Sequence, residues 1–329
     1  MIKTAVSLYS YQDEYVRGKL NLEGCLKELH EAGAQGVEIL PDQMLRRAPF
    51  VSDADIKNWH EMLEKYEIAP VCNDIFINTL LYNNRVLTHD ESLELLENEL
   101  RLANRMGMKM VRLVSMTPVD IIEDALPLAE KLDVTMALEV HAGMSFNIPQ
   151  TKKFCDLMFK LESEHVGLVI DTGIFCRKFP RVSREFHLAH GLNPKLGEYI
   201  DKIYPEHEEI SFIKDEKNRP AEIKDMIKSE VDFVYLMLAD GYENHPYTLL
   251  DPYMKYVKHF HAKTFEMLDD KEEYSTDFAG LIEYLKGKNY DGYIATEYEG
   301  GRFALPGTVV DAVTQVRRNQ KMFRSLIDG

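Results

Sequence analysis

The chain has 329 residues, with 39 Lys plus Arg against 55 Asp plus Glu and a formal charge of −16. That length suits one α/β barrel, typically about 250 residues or more, and the negative charge disfavours nucleic acid and anionic membranes as partners while leaving neutral or cationic small molecules as substrates. No apolar run approaches the roughly 18 residues of a membrane span and no basic-then-apolar leader opens the chain, so a cytoplasmic protein is expected. Cys25, Cys72, Cys155 and Cys176 are far apart with no CxxC pair, which predicts reduced, buried thiols.

Short β-type runs alternate with helical patterns eight times, which predicts a (β/α)8 TIM barrel as one domain over 1–329. Strands are expected at Thr4–Tyr9, Gly36–Leu40, Ile68–Asn73, Met110–Ser115, Thr135–His141, Val166–Asp171, Val257–Lys263 and Gly292–Glu297. Most are apolar and β-branched without polar alternation, as expected of strands covered by helices. Between the second and third strands, Trp59 and His60 lie on a helix and read as packing residues. Glu38, Asn73 and Asp74 fall at the ends of strands two and three, on the rim, as substrate contacts or loop caps.

Thr88 and Asp90 precede a helix expected over 91–106, where Leu93, Leu96, Leu100 and Ala103 make one apolar face. Strand six reaches strand seven through a long helical insertion, about 172–256, rich in Tyr, His and Pro. Loops at this end of a barrel build active sites, so the insertion is expected to be a lid or a partner-docking surface. Its His187 and His190 either touch a ligand or face solvent. After strand seven, Ser275, Thr276 and Asp277 open a helix carrying Phe278, Leu281, Ile282 and Leu285, with Gly287 as its stop.

Four successive strands end in residues that packing does not explain: Glu139, Asp171, His261 and Glu297. A carboxylate at the end of a buried strand is costly unless a charge partner or metal neutralises it. A single such residue is commonly a cap or a solvated loop residue, but one from each of four neighbouring strands, spaced about 4.8 Å apart, converges over half of the barrel mouth. Three oxygen donors and an imidazole suit Mn²⁺ best, and also Mg²⁺, Co²⁺ or Zn²⁺, with positions left for two ligand oxygens.

Glu-Val-His at 139–141, Asp-Thr-Gly at 171–173, His-Phe-His-Ala-Lys at 259–263 and Tyr-Asp-Gly-Tyr-Ile-Ala-Thr-Glu-Tyr-Glu-Gly at 290–300 resemble the xylose isomerase-like TIM barrel superfamily of sugar isomerases and epimerases. The resemblance implies the metal ligands Glu139, Asp171, His261 (the second His of its pair) and Glu297. Many epimerases and related abasic-site endonucleases carry a His three positions after the strand-six Asp, where this chain has Ile174. The endonuclease reading would also need further metal-binding histidines and a basic face, which the net charge opposes.

Within the superfamily, the segment 7–14 (Ser-Leu-Tyr-Ser-Tyr-Gln-Asp-Glu), the long insertion and Gly-Leu-Asn-Pro-Lys at 191–195 resemble the barrel subunit of bacterial C-glycoside deglycosidases. That resemblance implies cleavage of the carbon–carbon bond between a 3-oxo sugar and an aromatic aglycone of flavonoid type, and a small β-sandwich partner subunit. The chemistry implied is proton abstraction beside a carbonyl, with the cation stabilising developing negative charge.

His141, two residues after Glu139, falls on the same side if the strand continues, and a free imidazole titrates near pH 6.5. It is the expected base at C2, unless it only orients Glu139. Glu299 and Lys263 are candidates to bind sugar hydroxyls or shuttle protons, or to support their neighbours. The rival readings are a keto-sugar isomerase or epimerase, with Glu139 and Glu297 as both ligands and acid/base pair, and a non-catalytic sugar-binding barrel.

Overall fold

The computed structural model describes residues 1–114, 116–206 and 220–329. Eight parallel strands close on themselves: β1 Lys3–Ser7, β2 Gly36–Ile39, β3 Ala69–Ile75, β4 Met110–Leu113, β5 Thr135–Val140, β6 Val166–Asp171, β7 Val257–Thr264 and β8 Tyr293–Tyr298. Closure is made by β1 on β8, with Thr4 opposite Ile294 and Val6 opposite Thr296. The expected (β/α)8 TIM barrel is therefore the fold.

Boundaries differ where local chemistry intervenes. β1 ends at Ser7 because the Ser7 side chain takes the Tyr9 N–H and turns Leu8–Tyr11 into a 3₁₀ turn. β5 ends at Val140, so His141 lies beyond the strand. The expected end of strand four at Ser115 lies outside the described residues. The helix His89–Arg105 begins with a full capping box between Thr88 and Glu91. Gly287 is the last residue of the helix Phe278–Gly287, not its stop; Lys288 caps it.

Inside the barrel, Ala5, Val71, Cys72, Met110, Ala137, Val169 and Ala295 form a small apolar floor. A larger core packs the outer faces of the strands against the helices, and Trp59 belongs to it, donating its indole N–H to the Met106 carbonyl at 3.0 Å. All four cysteines are buried and unpaired with one another.

The residues between β6 and β7 include the helices Arg181–Ala189, Pro194–Ile203, Ala221–Met226 and Glu230–Gly241. They enclose an apolar cluster of their own, centred on Phe179, whose ring stands edge-on to Tyr204, Tyr235 and Tyr242 at 5.9, 5.1 and 5.6 Å. Such pairs contribute about 0.5–1.5 kcal/mol each beyond area burial. The described part of the insertion thus packs on Phe265 and Phe303, from the segments that follow β7 and β8.

Candidate metal centre

Side chains two apart on a strand share a face. Ala137, Val169 and Ala295 belong to the barrel floor, which places Glu139, Asp171 and Glu297 on the inward side one step nearer the mouth. His259 and His261 share the inward side of β7 in the same way. One ligand atom from each of Glu139, Asp171, His261 and Glu297 lies within 4.8 Å of the others, and the four residues are 7%, 2%, 0% and 3% exposed. The four residues singled out by the sequence converge.

His261 Nδ1 lies 2.7 Å from Glu139 Oε1 and 3.7 Å from Glu297 Oε2. The Lys263 ammonium sits 2.7 Å from Glu297 Oε2, 3.0 Å from Asp171 Oδ2 and 3.1 Å from Glu299 Oε2. Glu299 also pairs with Arg302 and takes the Tyr9 hydroxyl at 3.4 Å. Burial opposes charge on Lys263, yet Asp171, Glu297 and Glu299 hold its ammonium well above the usual range. Burial would raise Glu139, but Arg112 and His261 pull its carboxyl far below the ordinary value. At Glu297 burial wins over Lys263 and His261, and the carboxyl is raised.

Three buried carboxylates and one imidazole fit a divalent cation in charge, donor type and number. A further sign of fit is Glu297 Oε2, which is buried and completes no well-aligned hydrogen bond despite the nearby ammonium. The cluster could hold a metal, and nothing in the donor set selects which one.

Glu139, Asp171 and Glu297 line a cavity of about 390 Å³, with His261 buried behind them. His141, partly buried, reaches it from the turn after β5, with its Nδ1 2.9 Å from the Ala142 carbonyl oxygen. Lys263 and Glu299 line it as well. The wall also includes Tyr9, Arg112 and Arg302, together with Met237, Leu238 and Tyr242 from the insertion. Arg112 had a signal in the sequence, a lone cation inside the apolar β4 run; the insertion residues had none.

Three rim residues are buried, Glu38 and Asp74 inside the barrel and Asn73 toward the helix layer. Glu38 is fully buried against His259 and His261 and caps no loop. Asp74 pairs inside the barrel with Arg112 at 2.7 Å. Asn73 is buried on β3 with its Nδ2 toward the Met106 sulfur. The strands run further, or pair deeper, than an apolar run alone reveals. In the insertion, His187 is buried against the Ser183 carbonyl and the cluster around Tyr235, whereas His190 is exposed and packs on Phe186. Neither lines the cavity.

The family model of the xylose isomerase-like TIM barrel matches residues 26–176, so the resemblance first read from the four motifs holds. At the level of particular proteins, the chain is 25% identical to a C-glycoside deglycosidase alpha subunit of Arthrobacter globiformis, over 99% of this chain and 93% of the relative. It is also 25% identical to the 3'-dehydrocarminate deglycosidase alpha subunit of a Microbacterium species, over 91% of this chain and 88% of the relative. Among solved structures, D-psicose 3-epimerase in the presence of D-fructose superposes with a TM-score of 0.58 at 12% identity, covering all of both chains. The IOLI protein with a bound zinc atom superposes at 0.56 and 13% identity, over 99% of this chain and 98% of that one. At such identities these structures share the fold. Among the described residues no helix is long and apolar enough to cross a membrane.

Proposed function

We propose that this chain is the catalytic subunit of a C-glycoside deglycosidase, a carbon–carbon lyase acting on 3-oxo C-glycosides of aromatic, flavonoid-type aglycones. The observation that carries the reading is similarity to deglycosidase alpha subunits over 99% of the chain. The cavity supports it by combining two kinds of lining. Carboxylates, His141, Lys263 and Arg112 suit an oxo sugar, while Met237, Leu238 and Tyr242 offer an apolar wall for an aromatic group.

Glu139, Asp171, His261 and Glu297 would hold a divalent cation, which we take to be Mn²⁺. When bound, that cation supplies Lewis-acid stabilisation of negative charge on the sugar's 3-oxo oxygen. His141 takes the proton from C2, and the electron pair of that C–H bond becomes the C1–C2 double bond as the C1–aryl bond breaks. The bonding pair leaves with the aryl carbon, which receives a proton; the products are the free aglycone and a 1,2-unsaturated 3-oxo sugar. Lys263 and Glu299, which are ion-paired at 3.1 Å, hold sugar hydroxyls and relay that proton. The name alpha subunit carried by these relatives supports a second subunit, here a small β-sandwich chain.

The test is incubation of the purified chain, alone and with a co-expressed partner subunit, with Mn²⁺ and either a 3-oxo C-glucoside or a ketohexose. Aglycone release is expected from the first substrate. Interconversion of the ketohexose without aglycone release would replace this reading by an epimerase.

A further inference from the structure

Glu38 stands on β2, across the barrel from β7, and none of its side chain reaches solvent. Its Oε2 lies 2.8 Å from Nε2 of His261 and 3.0 Å from Nε2 of His259. Its Oε1 has no hydrogen-bond partner. Among the described residues no Lys or Arg forms an ion pair with it. A fully buried carboxylate with no Lys or Arg as partner is expensive unless the groups it faces answer it, and here these are two imidazoles.

The two nitrogens of His261 meet opposite surroundings. Nε2 faces Glu38, and Nδ1 faces Glu139 at 2.7 Å and Glu297 at 3.7 Å. A neutral imidazole carries one proton, and the hydrogen bond made by one nitrogen decides which nitrogen has a lone pair to offer. A proton on Nε2, donated to Glu38, turns the Nδ1 lone pair toward the carboxylate cluster. A proton on Nδ1 would leave Nε2 pressing its lone pair on a carboxylate oxygen, and would remove the one nitrogen donor from the cluster.

We propose that Glu38 is a positioning residue for the cation site. It accepts the Nε2 proton of His261, fixes the ring's tautomer and orientation, and so makes Nδ1 the donor nitrogen. This rests on the reading of Glu139, Asp171, His261 and Glu297 as a cation site, and not on any choice of substrate. His259, bound to the same oxygen, packs its ring edge-on to His261 with centroids 5.5 Å apart and keeps Glu38 from swinging away.

Two measurements with Zn²⁺ as the probe test this. Long-range ¹H–¹⁵N imidazole spectra of the Zn²⁺-loaded protein should show His261 protonated at Nε2 and bound through Nδ1; a zinc-bound Nε2 overturns the proposal. Calorimetric titration should give Zn²⁺ affinity about 10-fold weaker in Glu38→Gln and about 10- to 100-fold weaker in Glu38→Ala, the range found when carboxylates behind ligating histidines are removed. Affinities within twofold of the parent in folded variants overturn it. Glu38→Gln keeps the side chain's shape, so it decides the matter even if Glu38→Ala does not fold. Should the parent chain bind no Zn²⁺, the cation site itself falls and this role with it; parent binding with unchanged variants removes only Glu38.

Discussion

Buried carboxylates occupy two regions of this molecule and live there by different means. In the loop after β7, Glu273 is 3% exposed and its two oxygens take four backbone N–H groups: Phe265 and Glu266 at 3.0 Å, Ser275 and Thr276 at 2.6 Å. Burial still pushes its carboxyl up to about 7, but each lone pair has a partner supplied by the fold. At the barrel mouth, Glu139, Asp171 and Glu297 instead face one another, answered by side-chain cations and by His261. The first arrangement ties a loop together. The second concentrates negative charge around a point, and that is what separates a binding site from a structural carboxylate.

The contrast predicts opposite responses to mutation. Glu139→Ala or Asp171→Ala should lower aglycone release by about 1,000-fold or more, since loss of a ligand removes several kcal/mol of charge stabilisation. Treatment with a chelator should do the same and be reversed by Mn²⁺. His141→Ala should lower release by about 100- to 10,000-fold, the usual worth of a general base, while Zn²⁺ affinity stays within about threefold. Unchanged turnover in that variant would remove His141 from the mechanism.

Glu273→Ala should reverse the pattern: a loss of about 3–5 kcal/mol in denaturant unfolding, because several N–H donors lose their acceptor together, with cation affinity unaltered. A drop in cation affinity there would break the distinction between the two regions. The smallest effect is expected at Glu99, partly buried, whose carboxyl is raised from 4.5 to about 7 by burial and then by Asp42. Protonated Glu99 is the form that the fold favours, so its contribution is complete below about pH 4.5 and is lost as pH rises through about 7. Glu99→Gln should therefore gain about 1–3 kcal/mol over the parent at pH 8 and nothing at pH 4, read from melting curves.

How much of this was legible in the sequence follows from the same physics. β6 was readable to the residue, because Val166–Ile170 is a continuous apolar run that stops on Asp171. The convergence of Glu139, Asp171, His261 and Glu297 was readable because a carboxylate or imidazole at the end of such a run has no packing reason to be there. Glu38 misled because Gly36–Ile39 is buried on both faces, and without polar alternation the inward direction cannot be told from a rim position. His141 fell beyond β5 since the chain turns at Ala142–Met144, closing a bridge between His141 and Met144. The apolar wall was illegible for another reason. The helix Glu230–Gly241 is apolar nearly all round, so nothing in its pattern tells that Met237 turns toward the cavity while Tyr235 and Leu236 turn into the insertion's core.

The contact between Glu38 and His261 spans 223 positions of chain and joins the first quarter of the molecule to the last. All four residues of the cluster come from β5 to β8, but the residue facing the back of His261 comes from β2, which is separated from β8 by β1. A half-barrel ending after β6 would lack two donors, and one lacking β2 would lack the group behind the imidazole. Contacts this distant in sequence form late, after the loop-closure entropy of the whole ring has been met. At the proposed cation site, affinity would be a gauge of ring closure, and its appearance during refolding should coincide with the last strand pairing and not with the first collapse.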